Sequence, residues 1–266
     1  MDKLIIGRYI PGSSIIHRLD PRSKLLAMFA FVFIIFLAND AIGYGILTVF
    51  TFLGVALSRI KLSYFLKGLR PMLGLILFTV IFQMFFTTGG EVLFQIWFLK
   101  ITSYSLQNAF FIFMRFVLII FMSTLLTLTT PPLTLADGIE TGLAPLKKIK
   151  VPVHEIGLML SISLRFIPTL MDDTTMIMNA QKSRGMDFGE GNLVQKVKSV
   201  IPILIPLFVS SFRRADDLAI AMESRGYQGG EGRSKYRVLK WQRSDTLLLL
   251  SLVIVTAILV AWNMLK

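Results

Sequence analysis

The stretch AFFIFMRFVLIIFMSTLLTLT, Ala109 to Thr129, is an almost unbroken apolar segment that carries one charge, Arg115. A helix needs about 20 apolar residues to cross a bilayer of roughly 30 Å, and this segment is long enough. The whole chain has 266 residues, of which 54% are hydrophobic, with 22 Phe and no Cys. Soluble domains rarely contain so many apolar residues, so the composition predicts an all-α integral membrane protein.

Four further apolar runs have the character of membrane spans. The first two are short, and the polar turn Asn39–Asp40 separates them. With Ala109–Thr129 they predict five transmembrane helices. The four runs are Leu25 to Ala38, Ala41 to Leu57, the residues after Pro71 up to Phe86, and Leu247 to Trp262.

The positive charges lie on alternate sides of the predicted spans. Residues 1–24 contain five Lys and Arg, residues 59–70 contain four and residues 131–246 contain sixteen, whereas the other loops contain almost none. Positive residues favour the cytosolic side, so a cytosolic N-terminus and an extracellular C-terminus are expected in the cell membrane. This distribution accounts for the net charge of +12 without a nucleic-acid partner.

The long polar region predicts a cytosolic bundle of amphipathic helices. Two segments within it space their apolar residues as on one helical face. The predicted domains are therefore a membrane domain of four spans (1–130), a cytosolic region of long amphipathic helices (131–243) and a C-terminal span (244–266). The apolar residues expected to form a packing or partner interface are Leu160, Leu164, Ile167, Leu204, Phe208 and Phe212.

The stretch from Val151 to Met171 has an alternative interpretation as a further span. It is about long enough to cross a bilayer. However, it contains His154, Glu155 and Arg165, and charges inside a bilayer cost several kcal/mol. An amphipathic helix in the cytosolic region or along the membrane surface is therefore the favoured interpretation.

Each of the two amphipathic segments ends in the same three residues. KSRGMDFGEG begins at Lys182, and ESRGYQGGEG begins 41 residues later at Glu223. The simple interpretation is two helix ends with a glycine cap and an arginine that complements the helix dipole. The duplication favours a second one, in which each exposed arginine binds a carboxylate of a partner. The candidate residues are Ser183, Arg184, Gly185, Ser224, Arg225 and Gly226.

The sequence HRLDPR near the N-terminus contains His17 and Asp20, which could suggest acid–base chemistry. A structural role is favoured, because Asp20 can cap a helix that starts with Pro21. Arg22 and Lys24 then lie at the membrane boundary on the cytosolic side. No catalytic set and no metal site can be assembled; HEIGL at His154 lacks the second histidine of a zinc-protease motif.

The chain resembles the transmembrane T component (EcfT) of energy-coupling factor transporters. The resemblance rests on GRYIPGSSIIHRLDPRSKLL (Gly7–Leu26), SLRFIPTL (Ser163–Leu170) and the two Ser-Arg-Gly motifs. It covers nearly the whole chain in order. Family members often have Ala-Arg-Gly at these motifs, so Ser183 and Ser224 are conservative departures.

The resemblance implies a scaffold that imports vitamins or other micronutrients with other subunits. Its expected partners are two ABC-type ATPases, a membrane-embedded substrate-binding S component and the lipid bilayer. The chain itself is expected to bind no cofactor and to have no enzymatic activity, with ATP–Mg held by the ATPases. The absence of a P-loop motif GxxxxGK[ST] agrees with this expectation.

The alternative function is a stand-alone secondary transporter or channel with Arg115 in its pathway. Such proteins usually contain repeats of membrane segments and polar sites at the bilayer midplane. Here the repeat lies in the region predicted to be cytosolic, and the spans carry few polar groups, so the scaffold is favoured. A membrane hydrolase ranks third, and the sequence names no substrate.

Overall fold

The computed structural model describes residues 9–87, 89, 91–96, 99–186, 188, 192–229 and 238–265. Ten α-helices and one β-hairpin follow one another along these residues, with short 3₁₀ turns between some of them. In chain order they are α1 (Ile15–Arg18), α2 (Pro21–Ile34), α3 (Ala41–Ser58), α4 (Leu62–Leu69), α5 (Leu73–Phe86), β1 (Val92–Ile96), β2 (Leu99–Thr102), α6 (Ser103–Thr129), α7 (Pro132–Gly142), α8 (Val153–Ser183), α9 (Leu193–Ser224) and α10 (Arg243–Met264). The predicted all-α membrane class is confirmed.

The chain divides into two compact units. The first unit comprises Met1–Gly138 and Leu239–Lys266, and the second comprises Ile139–Val238. The chain passes from the first unit to the second within α7, whose last residues already belong to the second unit, and it returns to the first unit between Val238 and Leu239. The domain boundaries expected from the sequence stay a prediction.

The first unit has an apolar core inside and apolar side chains outside. Phe31, Leu47 and Phe65 are fully buried, and the Phe65 ring packs against that of Phe121 at 5.7 Å. Large side chains on the outer faces are equally apolar: Phe33 is 72% exposed. A helix that is hydrophobic all round is typical of a membrane span, because lipid replaces water at its outer surface.

Five helical segments of the described chain are long and apolar enough to cross a membrane. These segments are Ala41–Ser58, Leu62–Phe86, Ser103–Thr129, Val153–Ser183 and Arg243–Met264. Four of them contain predicted spans, and three of those four begin earlier than the apolar runs do. Polar residues occupy the first turns of Ser103–Thr129 and Arg243–Met264, whereas Leu62–Phe86 begins earlier because it includes α4. The number of segments agrees with the prediction, but one member differs.

That member is α8, which the sequence analysis assigned to the cytosolic region. By length and composition it also qualifies as a span, so the charged residues near its start do not exclude one. The predicted first span, in contrast, corresponds to α2, which has only 14 residues. A 3₁₀ turn, Ile35–Leu37, continues α2 directly and brings its length to about 25 Å.

The connection between α5 and α6 contains an antiparallel hairpin that the sequence analysis did not predict. Strand β1 pairs with β2, with Gln95 opposite Lys100 and Ile96 opposite Leu99. Apolar runs shorter than a span are ambiguous between strand and helix, which explains the omission.

A network of buried polar groups ties the start of α2 to the start of α10. The Asp245 carboxylate is fully buried and accepts hydrogen bonds from the Asp20 backbone N–H at 2.8 Å and the Ser23 hydroxyl at 2.6 Å. Its other oxygen accepts from the Gln242 backbone N–H at 2.7 Å. Buried carboxylates are stable when such donors replace water, so Asp245 fixes the two helix starts against each other.

Asp20 caps α2, and Pro21 is the first helical residue, as the sequence predicts. The Asp20 carboxylate accepts from the backbone N–H of Arg22 at 2.8 Å and pairs with its guanidinium at 3.0 Å. Burial alone would raise the pKa of Asp20, but these hydrogen bonds and the charge of Arg22 lower the pKa below its usual value. Arg22 therefore does more than mark the membrane boundary, because it also donates to the Leu239 carbonyl at 3.3 Å.

Lys24 is buried, although the sequence analysis placed it at the lipid boundary. Its ammonium group donates to the Thr129 carbonyl and to the Thr130 hydroxyl, both at 3.1 Å. These contacts satisfy the last turn of α6, whose final carbonyls have no partner inside the helix. Lys24 thereby joins α2 to the end of α6.

Replacing Asp245 by Asn tests this network. The Asn side chain has the same shape as Asp, but its NH₂ group replaces one of the two acceptor oxygens. A buried donor that now bonds to that oxygen would then face another donor and lose its partner. We expect the free energy of unfolding to fall by about 2–3 kcal/mol. The measurement is thermal unfolding of the purified protein in detergent. Asp216→Asn, an exposed change on α9, is the control and should leave the midpoint unchanged. An unchanged midpoint for D245N would show that the carboxylate does not hold the helices together.

Candidate functional site

The two Ser-Arg-Gly motifs close α8 and α9 with the same backbone geometry. At the end of α8, the N–H of Met186 donates to the Gln181 carbonyl at 3.1 Å, and that of Gly185 donates to Lys182 at 2.9 Å. At the end of α9, Tyr227 donates to Met222 at 3.0 Å. Both helices therefore end in a Schellman motif, which satisfies carbonyls that the helix leaves open.

The glycines of both motifs are required by their backbone angles. Gly185 has φ +86° and Gly226 has φ +73°, the left-handed region in which a side chain is strained. A Cβ atom at either glycine would meet nothing within 4 Å, so conformation and not space selects glycine. In the bonding of the second motif, Gly226 donates to the Glu223 carbonyl at 2.9 Å, which matches the first.

Arg184 and Arg225 are the C-cap residues, one position beyond the last helical residue and not within the last turn. Both are exposed, as are the neighbouring Ser183 and Ser224. Within the described ranges neither arginine forms an ion pair. The serine hydroxyls bond back to helix carbonyls, Ser183 to Asn179 at 3.1 Å. Each motif thus presents a guanidinium on a rigid helix end.

Helices α8 and α9 lie antiparallel in the second unit. The guanidinium of Arg214 in α9 forms an ion pair with the Asp173 carboxylate of α8. Nearer the end of α8, the Gln181 amide donates to the Pro202 carbonyl at 3.4 Å. This carbonyl is open because Pro206, four residues later, has no N–H to donate to it. Gln181 thereby supplies the bond that the proline removes.

The antiparallel arrangement places the two arginines at opposite ends of the helix pair. Arg225 lines a cleft of about 540 Å³ together with Leu158 and Ile162 of α8. From Ile162 to Arg184 is 22 residues along the same helix, or about 33 Å at 1.5 Å per residue. The two motifs are therefore far enough apart for two separate partners.

The same cleft contains a residue that the sequence analysis did not identify as functional. Arg165, from the SLRFIPTL stretch, lines the cleft with Arg225, and both side chains are exposed. The cleft therefore has two cations at its wall, which suits an acidic partner. The sequence could not reveal this juxtaposition, because 60 positions separate the two arginines along the chain.

The predicted apolar interface divides into two sets. Leu160, Leu164 and Ile167 on α8 are partly buried. On α9, Phe208 is 59% exposed and Phe212 68% exposed, with Leu204 also exposed. Large exposed apolar side chains along one helix face mark a surface that contacts protein or lipid. The identity of the contacting molecule stays a prediction.

The N-terminal motif is a structural element. His17 bonds through Nε2 to the Ile10 carbonyl at 3.0 Å and through Nδ1 to the Ser14 hydroxyl at 2.6 Å. With Asp20, Pro21 and Arg22 in the network described above, these groups are occupied by structural contacts. No group of three metal-ligating side chains occurs among the described residues.

The contacts of Arg115 in α6 are with aromatic side chains. Its Nε donates to the Tyr44 hydroxyl at 3.1 Å, and its guanidinium lies 4.8 Å from the centroid of the Phe36 ring. The Tyr44 ring in turn stacks on Phe111 at 5.0 Å. A cation over an aromatic face is stabilised without a counter-charge, so these contacts give Arg115 a structural role between α3 and α6.

Comparison with known proteins agrees on a single family. The family model described as cobalt transport protein, CbiQ, matches residues 12–238. A protein from Lactococcus lactis subsp. cremoris, named energy-coupling factor transporter transmembrane protein EcfT, is 75% identical over 263 residues, which is 99% of each chain.

Relatives from other bacteria carry the same name. The protein from Streptococcus equi subsp. equi is 68% identical over 96% of this chain and 94% of its own length. The one from Bacillus subtilis is 52% identical over 97% of this chain and 98% of its own. These alignments cover both Ser-Arg-Gly motifs and both units.

Proposed function

This chain belongs to the cobalt transport protein (CbiQ) family, as a transmembrane component of energy-coupling factor transporters, and we propose that it couples two ATPases to a substrate-binding S component. It is a multi-pass membrane protein and part of a transporter with other subunits. The observation that supports the coupling role best is the pair of identical helix ends. Each end carries an exposed arginine, and the two ends are separated by about 33 Å along the helix pair.

Each arginine would bind one ABC-type ATPase. A guanidinium offers two parallel N–H groups that match a carboxylate, and the Schellman closure holds it on a rigid helix end. Two equal motifs at opposite ends of one helix pair suit two nucleotide-binding subunits that move relative to each other when ATP–Mg is bound and hydrolysed. In this proposal the nucleotide stays on the ATPases, and this chain is a non-catalytic scaffold without a cofactor of its own.

The exposed apolar face of α9 would contact the membrane-embedded S component and lipid. Leu204, Phe208 and Phe212 share this face, and the partly buried Leu160, Leu164 and Ile167 form the corresponding stripe of α8. Apolar side chains give a surface with few directional bonds, which allows a partner to shift along it. The transported compound, a vitamin or another micronutrient, would be recognised by the S component.

The alternative of a stand-alone transporter or channel is not favoured. Its main support was the charge of Arg115 inside a predicted span, and that side chain is bound by Tyr44 and Phe36. An arginine held by aromatic neighbours serves packing between helices and does not require a transport pathway.

The first prediction concerns the orientation in the membrane. We expect the N-terminus and the helix pair to face the cytosol and Met264 to face outside, following the distribution of Lys and Arg. The chain has no Cys, so single cysteines can be introduced at Lys148, Ser183, Lys240 and Met264 and treated with an impermeant reagent outside intact cells. Only the cysteine at Met264 should react. Labelling of one end of α8 and not the other would show instead that α8 crosses the membrane.

The second prediction concerns the apolar face of α9. Phe208→Asp puts a charge in the proposed S-component contact, so the S component should be lost from the purified complex while the ATPases remain. The amounts of both can be measured by quantitative mass spectrometry of the co-purified subunits. Arg213→Asp places an acidic side chain on another face of the same helix, away from both motifs, and should retain both partners. Loss of the ATPases alone from F208D would contradict this assignment.

The third prediction concerns the two arginines. If each is buried against a carboxylate of an ATPase, replacing it by Ala should cost about 2–5 kcal/mol of binding, or roughly thirtyfold or more in affinity. A role limited to the helix dipole would cost only about 0.3–1 kcal/mol of helix stability. R184A and R225A should each weaken co-purification of the ATPases, and the double variant should abolish it.

Two controls accompany this measurement. Lys at either position keeps the charge but lacks the planar fork, so it should restore little binding. Arg213→Ala removes an exposed cation of α9 away from both motifs and should leave the complex intact. A double variant that still assembles fully and hydrolyses ATP normally would return Arg184 and Arg225 to the role of helix caps.

A further inference from the structure

Gly157, in the second turn of α8, is a glycine that the structure requires for space. It is buried, and a Cβ atom there would lie 2.5 Å from Cδ of Glu140 and 2.7 Å from its Oε2. Its backbone is helical, so no unusual angle calls for glycine, and glycine inside a helix is normally unfavourable. The glycine therefore serves to let the Glu140 carboxylate of α7 rest directly on the α8 backbone.

His154, one turn earlier in α8, holds the same carboxylate. Its Nδ1 lies 3.3 Å from Oε1 of Glu140, and both side chains are largely buried, at 18% and 13% exposure. A carboxylate can only accept, so Nδ1 is the donor in this contact. The other nitrogen, Nε2, is buried and has no partner within the described residues.

These contacts hold the two sides of a turn. The last residues of α7 and the first turns of α8 are joined by a 3₁₀ segment, Ala144–Ile149, and by Lys150 in the left-handed conformation at φ 63°. Helix α8 then continues for 31 residues to the first Ser-Arg-Gly motif. A small change of angle at Gly157 becomes a large displacement at Arg184, about 40 Å further along the helix.

We propose that Glu140 is a positioning residue that sets the direction of α8: its carboxylate, held by His154 and seated on Gly157, fixes α8 against the last turn of α7. The Glu140–His154–Gly157 contact determines where the arginine of the first motif is presented. The expected effect on ATPase binding rests on the proposed function, whereas the effect of Glu140 on the direction of α8 does not.

The experiment compares two glycines of the same unit. Gly157→Ala should displace the Glu140 side chain, whereas Gly142→Ala meets nothing within 4 Å and serves as the matched control. Spin labels on cysteines at the exposed Ile139 and Thr175 report the direction of α8, because the chain contains no other Cys. We expect the distance distribution between the labels to shift or broaden in G157A and to stay unchanged in G142A.

A double-mutant comparison assigns the effect to Glu140. Glu140→Ala should broaden the same distribution, and Gly157→Ala should add nothing to it, since the group that it displaces is then absent. Glu140→Gln, which keeps the shape and the acceptor oxygen, should restore most of the wild-type distribution. E140A creates no steric conflict, so it tests the proposal even if G157A does not fold.

Co-purification of the ATPases provides the second readout. G157A and E140A should reduce the ATPase retained by the complex about fivefold or more, and G142A should not. If the wild type retains no ATPase, the proposed function fails, and the label distances still decide the positioning role. Unchanged label distances in both G157A and E140A would overturn the inference. It would also be overturned if Gly157→Ala changed the distances, or reduced the retained ATPase, by the same amount in the wild type and in E140A.

Discussion

The buried carboxylate of Asp245 is the interaction on which the first unit depends. It accepts hydrogen bonds from Asp20, Ser23 and Gln242, and so joins residues about 220 positions apart in the chain. Apolar helices in lipid gain little from the hydrophobic effect, because lipid is as apolar as their neighbours. A few polar contacts that cannot be exchanged for water therefore define which helices meet. Asp245 defines one of these meetings, and Lys24 at the end of α6 defines another.

The features that the sequence predicts well are those that depend on neighbouring residues. The Asp20 cap, Pro21 at the helix start and the left-handed Gly185 and Gly226 follow from local backbone chemistry, and the structure has them at the expected positions. The apolar runs likewise predict four of the five long apolar helices of the described chain. Polar first turns carry no hydrophobic signal, so several helices begin before the predicted span does.

The features that the sequence does not predict depend on distant residues. Nothing in the stretch around Gly157 indicates that Glu140 lies against it, and Arg165 appears beside Arg225 only when α8 and α9 pair. The status of α8 is a different case. Its charged residues favour a cytosolic helix by their cost in lipid, whereas its length and average hydropathy also satisfy a span, and a single sequence contains both signals.

The way in which the two helix ends are closed bears on how a scaffold can transmit motion. A Schellman motif uses bonds within six residues, so the direction of each arginine is fixed by its own helix and not by a neighbouring segment. A force on the arginine is therefore passed to the helix backbone. Along the pair, that force meets the Asp173–Arg214 ion pair and the Gln181 bond to Pro202, both of which cross between the helices. Pro206 leaves the Pro202 carbonyl open within α9, and the Gln181 bond forms at that carbonyl, so a residue that weakens the helix locally also connects it to its partner helix.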